Sequence, residues 1–137
     1  RREVDAPRLG SLSVATLRVI LEHANAAPLM LRFFPRWLML SAYENSLIDN
    51  PYPEEHQMVI VEAIEKLTYG TSLFAAAAAT YHLPAMPTFD TDRYPRLARA
   101  IQVGPQDQLT MFEESLRALL AGFDARYGRI KKEQDDA

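Results

Sequence analysis

The sequence predicts an all-α fold, a bundle of about six helices that forms one domain over residues 1–137. Apolar residues recur at spacings of three and four between proline and glycine breaks, which is the period of amphipathic helices. The alternation of β-branched and polar residues that marks strands is almost absent. Hydrophobic residues make up 48% and charged residues 24% of the chain, which is the balance of a folded globular domain.

The first third of the chain predicts three helices. Ser13 is suited to cap a helix over residues 13–24, since its hydroxyl can accept from a free N–H of the first turn. Pro28 suits the first turn of a short helix over residues 29–34. A third helix is predicted over residues 36–48, before the sequence DNPYP breaks the chain.

The longest predicted helix starts with Pro53 at its first turn and runs towards His82. About 28 residues at a rise of 1.5 Å each span roughly 40 Å. Five consecutive alanines, Ala75 to Ala79, lie within it. They raise helix propensity, and their small side chains also permit a second helix to approach closely. Both interpretations stay open at this point.

Two further helices complete the prediction. Asp92 is suited to cap a short helix over residues 93–101. The last helix is predicted over residues 106–127, with Pro105 near its first turn. The final polar stretch, GRIKKEQDDA, is expected to fray.

The last helix carries more apolar surface than one neighbour needs. Its apolar arc exceeds the roughly 100° that one-sided burial requires, and the long helix shows the same excess. We therefore predict self-association as a homodimer, with burial inside a monomeric bundle as the alternative. The candidate dimer-interface residues are Phe74, Ala75, Ala78, Phe112, Leu116, Leu119 and Phe123.

A second apolar concentration predicts a ligand pocket. Aromatic and methionine side chains crowd residues 29–44, and such side chains suit an apolar cavity because they have few polar atoms to satisfy. The long helix can supply the facing wall. The candidate pocket residues are Met30, Phe33, Phe34, Trp37, Tyr43, Met58, Glu62, Glu65 and Tyr69. The alternative is that the aromatic residues simply fill the core.

The sequence offers little for catalysis or for metal binding. There is no cysteine, so disulfides and thiolate chemistry are excluded. His23, His56 and His82 are scattered, without the spacing of a metal site. No serine lies in a G-x-S-x-G motif. We predict no catalytic residue, no metal and no cofactor, and hence no enzyme.

Charge and hydropathy bear on partners and location. A net charge of −3 argues against binding of nucleic acid by this segment alone, because phosphates require a basic face. No membrane span is expected, since the longest apolar region contains Glu62, Glu65 and Lys66. The absence of cysteine and of an evident signal peptide leads us to expect a cytoplasmic protein.

Four stretches resemble the C-terminal domain of TetR-type transcriptional regulators. The run FEESLRALLAGFDAR is similar to the terminal helix of that family, and DTDRYPRLARAI to its short preceding segment. KLTYGTSLFAAAAA resembles the long helix, and LRVILEHANAAPLMLRF the helix and proline-led segment before it. The four occur in the family's order and span nearly the whole chain.

The resemblance implies an all-helical effector-binding domain that dimerises through its long and last helices as a four-helix bundle. It implies a regulator, expected to be a repressor, whose DNA binding responds to an apolar or aromatic small molecule. The family's helix-turn-helix is absent from these residues, so DNA would be bound only through an N-terminal domain of a longer protein. The alternatives are a structural helical dimerisation module without a ligand and, less in keeping with the residues, a small helical enzyme.

Overall fold

The computed structural model describes residues 6–26, 29, 32, 36–48, 50–82, 84 and 86–128, the side chains of residues 6–11 and 38 excepted. Within these ranges all regular structure is helical and no strand occurs, so the all-α prediction is confirmed. Two short 3-10 turns lie at Ala24–Ala26 and Arg36–Met39. The α-helices are α1 (Ala6–Glu22), α2 (Leu40–Leu47), α3 (Glu54–Thr80), α4 (Pro95–Val103) and α5 (Gln108–Tyr127).

The long helix α3 has 27 residues, close to the predicted length. Pro53 precedes it with a φ of −54°, and Glu54 and Glu55 in the first turn interact favourably with the positive end of the helix dipole. The helix ends where His82 adopts a left-handed φ of 52°. A single left-handed residue ends a helix because it turns the backbone away from the axis.

Helix α5 begins two residues later than predicted because Asp107 is its cap. The Asp107 carboxylate accepts a hydrogen bond from the Thr110 backbone N–H at 2.8 Å. At the other end, Gly128 has a φ of 70°, a conformation that glycine adopts without steric cost. These two residues define the bounds of the helix.

Two predicted caps are wrong. Helix α1 already begins at Ala6, so Ser13 lies inside it and is buried rather than capping; Pro7 suits that earlier first turn. Helix α4 begins at Pro95, and the turn before it is organised by Asp90 in place of Asp92. The Asp90 carboxylate accepts from the backbone N–H groups of Asp92 and Arg93 at 2.9 and 3.2 Å, the geometry of an Asx turn.

Two other predictions fall largely outside the described residues. Of the short helix predicted over residues 29–34, only Leu29 and Arg32 are described, and both are helical. The predicted polar tail lies outside the described residues from position 129 onwards.

Helices α1, α3 and α5 enclose the main core. Its buried members come from all three helices and from the turn before α3, and they are Leu17, Tyr52, Ile60, Ile64, Phe112, Leu116 and Phe123. A second, smaller cluster joins α1 to the C-terminal half of α3 through Ile20 and Ala76, with Ala24 and Tyr69 packed against it. Helix α4 contains no buried residue and makes at most marginal contact with the other helices.

Contacts at one end fix how α3 and α5 are arranged. The hydroxyl of Tyr52, just before α3, donates to the Asp124 carboxylate at 2.6 Å. The ring of His56 stacks on Tyr127 with centroids 4.2 Å apart. Because the start of α3 thus meets the end of α5, the two helices run antiparallel.

Candidate functional site

Four of the predicted pocket residues share one face of α3. Met58, Glu62, Glu65 and Tyr69 are spaced by four, three and four residues, which places them along a single line of the helix. Helix α2 and the 3-10 turn before it approach this face and contribute Tyr43 and Arg36. We call Arg36, Tyr43, Glu62, Glu65 and Lys66 the Glu65 cluster.

Glu65 is the centre of this cluster. Its Oε2 atom accepts from Nη2 of Arg36 at 3.0 Å, and its Oε1 atom accepts a hydrogen bond from the Tyr43 hydroxyl. Only 11% of the Glu65 side chain is exposed. A carboxylate at this depth is stabilised by its two donors, because an unpaired buried charge is costly.

Glu62 connects the cluster to the surface. Nη1 of Arg36 lies 3.4 Å from Oε1 of Glu62, and Nζ of Lys66 lies 2.6 Å from its Oε2 atom. The hydrogen bond and charge of Lys66, followed by the charge of Arg36, lower the pKa of Glu62. The nearby Glu65 charge raises the pKa of Arg36. Both groups therefore stay ionised throughout the neutral range.

The two tyrosines of the site are held in their neutral form. Burial, followed by the hydrogen bond to Glu65, raises the pKa of Tyr43 to about 12. Burial and the Glu65 charge also raise the pKa of Tyr69. The phenol of Tyr43 therefore acts as a hydrogen-bond donor at neutral pH and not as a base.

The arrangement determines which chemistry the site can support. Each carboxylate oxygen of Glu62 and Glu65 already has a cationic or hydroxyl partner within the chain. A polar ligand would therefore bind only by displacing one of these partners or by joining them. The sequence alone did not pair Arg36 with Glu65, because 29 residues separate them and local spacing rules reach only about one helical turn.

The remaining predicted pocket residues do not join this cluster. Trp37 is 72% exposed and Met58 is 44% exposed, so neither encloses a cavity with the residues described. Met30, Phe33 and Phe34 lie outside the described residues. The structure thus brings together Tyr43, Glu62, Glu65 and Tyr69 out of the nine.

Three candidate interface residues are assigned instead to the core of the protomer. Phe112, Leu116 and Phe123 are 2%, 4% and 8% exposed, and Leu119 packs against the same core. These side chains leave little surface for a second copy to bury. Phe74, by contrast, is 78% exposed, and Ala75 and Ala78 are half-buried.

Helix α5 has an uncharged outer face that the prediction did not single out. Five exposed residues, spaced by four, three, four and three positions, form this face. They are Met111, Ser115, Ala118, Gly122 and Ala125. A Cβ placed on Gly122 would meet nothing within 4 Å, so the space above this face is open. We call these five residues the α5 outer face.

The outer side of α3 near its C-terminal end is similar in character. Gly70, Phe74, Ala77 and Tyr81 are spaced by four, three and four residues, carry no charge, and include two of the most exposed large side chains. A Cβ on Gly70 would also meet nothing within 4 Å. Small residues beside exposed aromatic rings are typical of a surface that another helix covers.

A shallow, open depression runs along α4, away from the predicted pocket. It is formed by exposed side chains on one side of this helix and by the turn that precedes it. The residues that line it are Thr91, Asp92, Pro95, Ala98, Arg99, Gln102 and Val103.

The described part of the chain also bears on metal sites and membrane spans. There, no three His, Asp or Glu side chains converge as a metal ion would require. None of the described helices combines the length and apolarity of a membrane span. No protein-family model, curated protein or solved structure matches the chain.

Proposed function

We propose that this chain is the effector-binding and dimerisation domain of a TetR-like transcriptional regulator, acting as a repressor in the cytoplasm. In this proposal two copies pair through α3 and α5, and a small molecule bound in each protomer changes their relative placement. An effector can act in this way only if it binds one arrangement of the dimer better than the other.

The observation that supports the proposal most strongly is the uncharged outer surface of α3 and α5. These are the two helices through which the resembled family dimerises. They pack together in the protomer, yet Phe74 on α3 and Tyr81 directly after it remain 78% and 70% exposed. The α5 outer face adds small side chains with open space above them. Helices α3 and α5 of a second copy would cover this surface and complete a four-helix bundle.

The oligomeric state tests this proposal directly. We expect sedimentation equilibrium to show a dimer at micromolar concentration and Ala118→Glu to shift it towards monomer, because the new carboxylate would be buried at the interface. Ala100→Glu on α4 is the matched control, since Ala100 is also an exposed helical alanine. A wild-type protein that stays monomeric at high micromolar concentration would overturn the proposal.

The effector half is tested separately by thermal shift. A saturable rise in melting temperature with an apolar or aromatic compound is expected, since a ligand that binds only the folded state stabilises it. DNA binding is proposed to belong to a helix-turn-helix domain that precedes residue 1 in the intact protein. Reading the coding region immediately upstream tests this, and a region without such a domain would contradict it.

A structural dimerisation module without a ligand is the second candidate function. It is favoured by the Glu65 cluster, in which the carboxylates already have partners within the chain. If no compound of a broad library raises the melting temperature and the dimer is stable, this candidate is favoured over the first.

A further inference from the structure

The segment of residues 36–47 comprises the second 3-10 turn and α2, and its side chains are described at every position except Leu38. None of its described side chains is buried, and none belongs to either apolar cluster. Trp37 and Leu40 are 72% and 65% exposed. The described side chains of this segment therefore gain less from the hydrophobic effect than those that hold α1, α3 and α5 together.

The chain is fixed on both sides of this segment. Ala24, in the 3-10 turn after α1, packs against the smaller apolar cluster. Tyr52, which precedes α3, is only 1% exposed and belongs to the main core. Residues 36–47 thus lie between two fixed points, so their release from α3 would leave the core intact.

Two of the polar contacts between the segment and α3 meet at one carboxylate. Arg36 binds one oxygen of Glu65 at 3.0 Å, and the Tyr43 hydroxyl binds the other. The two donors are seven residues apart, so a single side chain holds both the beginning and the middle of the segment. Arg36 also reaches Glu62, at the longer distance of 3.4 Å.

Glu62 and Glu65 depend differently on the segment. Glu62 is 34% exposed and has a second partner, Lys66, on its own helix at 2.6 Å, so it stays paired and hydrated if Arg36 leaves. Glu65 is 11% exposed, and both of its donors described above come from the segment. The charged groups that face Glu65 are Arg36 from the 3-10 turn and Glu62 and Lys66 from α3. The titratable phenols beside it are Tyr43 from α2 and Tyr69 from α3.

We propose that residues 36–47 form a strap that the Glu65 carboxylate holds on α3, and that the strap is released when this carboxylate loses its charge. Neutral Glu65 would no longer attract Arg36 and would be a weaker acceptor for Tyr43. Release would uncover the face of α3 that carries Glu62, Glu65 and Tyr69. The strap belongs to the single protomer, so this inference does not depend on dimerisation or on an effector.

The strap contains a natural reporter, because Trp37 is the single tryptophan of the chain. Time-resolved fluorescence anisotropy separates the local nanosecond motion of Trp37 from tumbling of the whole molecule. A dimer changes the tumbling time, whereas release of the strap increases the amplitude of the local motion. The failure of this inference and the failure of the proposed dimer are therefore distinguishable.

The decisive comparison is Glu65→Gln against Glu62→Gln, which remove the same charge from the same helix. In Glu65→Gln we expect the anisotropy decay at neutral pH to shift from overall tumbling towards local motion, with helical circular dichroism unchanged. In Glu62→Gln we expect the wild-type decay.

Tyr43→Phe is the second variant, and it tests the proposal if Glu65→Gln does not fold. It removes one of the two donors and leaves the Glu65 charge in place, so its decay should fall between those of wild type and a released strap. A Glu65→Gln decay identical to that of wild type would overturn the proposal. So would equal shifts in Glu65→Gln and Glu62→Gln.

Discussion

The two halves of α3 have different surroundings. Residues 54–67 contribute Ile60 and Ile64 to the main core, where they meet large side chains from α1 and α5. Residues 68–80 contribute a single buried apolar side chain, Ala76, which pairs with Ile20 of α1. On the outer side of this second half, Phe74 is 78% exposed. One continuous helix thus packs through large apolar side chains along its first half and through small ones along its second, where Thr68, Ser72 and Ala76 are the buried residues.

The difference between the two halves separates two roles of an apolar helix surface, stabilisation of the protomer and association with a second copy. The first half stabilises the protomer, because its large side chains are buried within the same chain. The second half combines small side chains with exposed aromatic rings, which add little to the stability of an isolated protomer. This second half therefore carries the surface on which our dimer proposal rests.

Two phenylalanine truncations test this contrast and give the largest expected effect. Phe112→Ala should lower the free energy of unfolding by about 3–5 kcal/mol, because it leaves a cavity in a packed core. Phe74→Ala should change it by less than about 0.5 kcal/mol at concentrations where the protein is monomeric. Urea unfolding followed by circular dichroism measures both.

The same pair also tests the dimer. In the proposed dimer, Phe74→Ala should weaken association in sedimentation equilibrium, and its effect on stability should grow with protein concentration. Phe112 belongs to the core that the first half of α3 joins, so equal destabilisation by both variants in dilute solution would mean that this core and the outer side of the second half do not differ as described.

A smaller effect is expected where the first half of α3 is joined to α5. Tyr52→Phe removes the hydrogen bond to Asp124 and should lower the free energy of unfolding by about 1.5–3 kcal/mol, the usual range for a hydrogen bond to a charged group. Tyr81→Phe removes a hydroxyl from a side chain that is 70% exposed and serves as the control. Urea unfolding with equal midpoints for the two variants would contradict the role assigned to the Tyr52–Asp124 contact.

The positions of the two long helices could be predicted from the sequence. Apolar periodicity and proline positions predicted α3 and α5 to within two residues at each end, because both helices are long and strongly patterned. Caps were less predictable: Ser13 and Asp92 have suitable side chains, but neither lies at a helix start. Many side chains can cap a helix, whereas the register of the chain decides which of them does.

What covers each apolar residue could not be predicted. The pattern places Phe112 and Phe74 on apolar faces, but it does not say whether the covering body is the same chain or another one. Likewise Glu65 was a candidate site residue, yet its partner Arg36 lies 29 residues earlier. Such a pair depends on how the helices pack, which periodicity within one helix does not determine.

Tyr43, which contacts the middle of α3, gives a pH-dependent prediction. Its folded pKa of about 12 lies above the unfolded value near 10, so between these values the folded state binds more protons. Its contribution to stability is therefore complete below about pH 10 and is lost as the pH rises towards 12. Tyrosinate absorbance should show a late-titrating phenol that is absent from Tyr43→Phe and retained in Tyr81→Phe. Because the pKa of Tyr69 is also raised, the test is the amplitude of the late phase: equal amplitudes in Tyr43→Phe and Tyr81→Phe would refute the assignment.

The smallest effect is expected at the start of α5, which the antiparallel arrangement places towards the second half of α3. The hydrogen bond from Thr110 lowers the pKa of Asp107. The unfolded state then binds more protons in acid, so the contribution of Asp107 is present above about pH 4 and is lost as the pH falls through its folded value.

Asp107→Asn separates the cap from its charge, because asparagine caps a helix about as well as aspartate. We expect Asp107→Ala to lower the melting temperature at neutral pH and Asp107→Asn to lower it much less. The difference between wild type and Asp107→Asn should shrink as the pH falls below about 4. If Asp107→Asn were as destabilising as Asp107→Ala, the negative charge at the helix N-terminus and not the hydrogen bond would hold the first turn of α5.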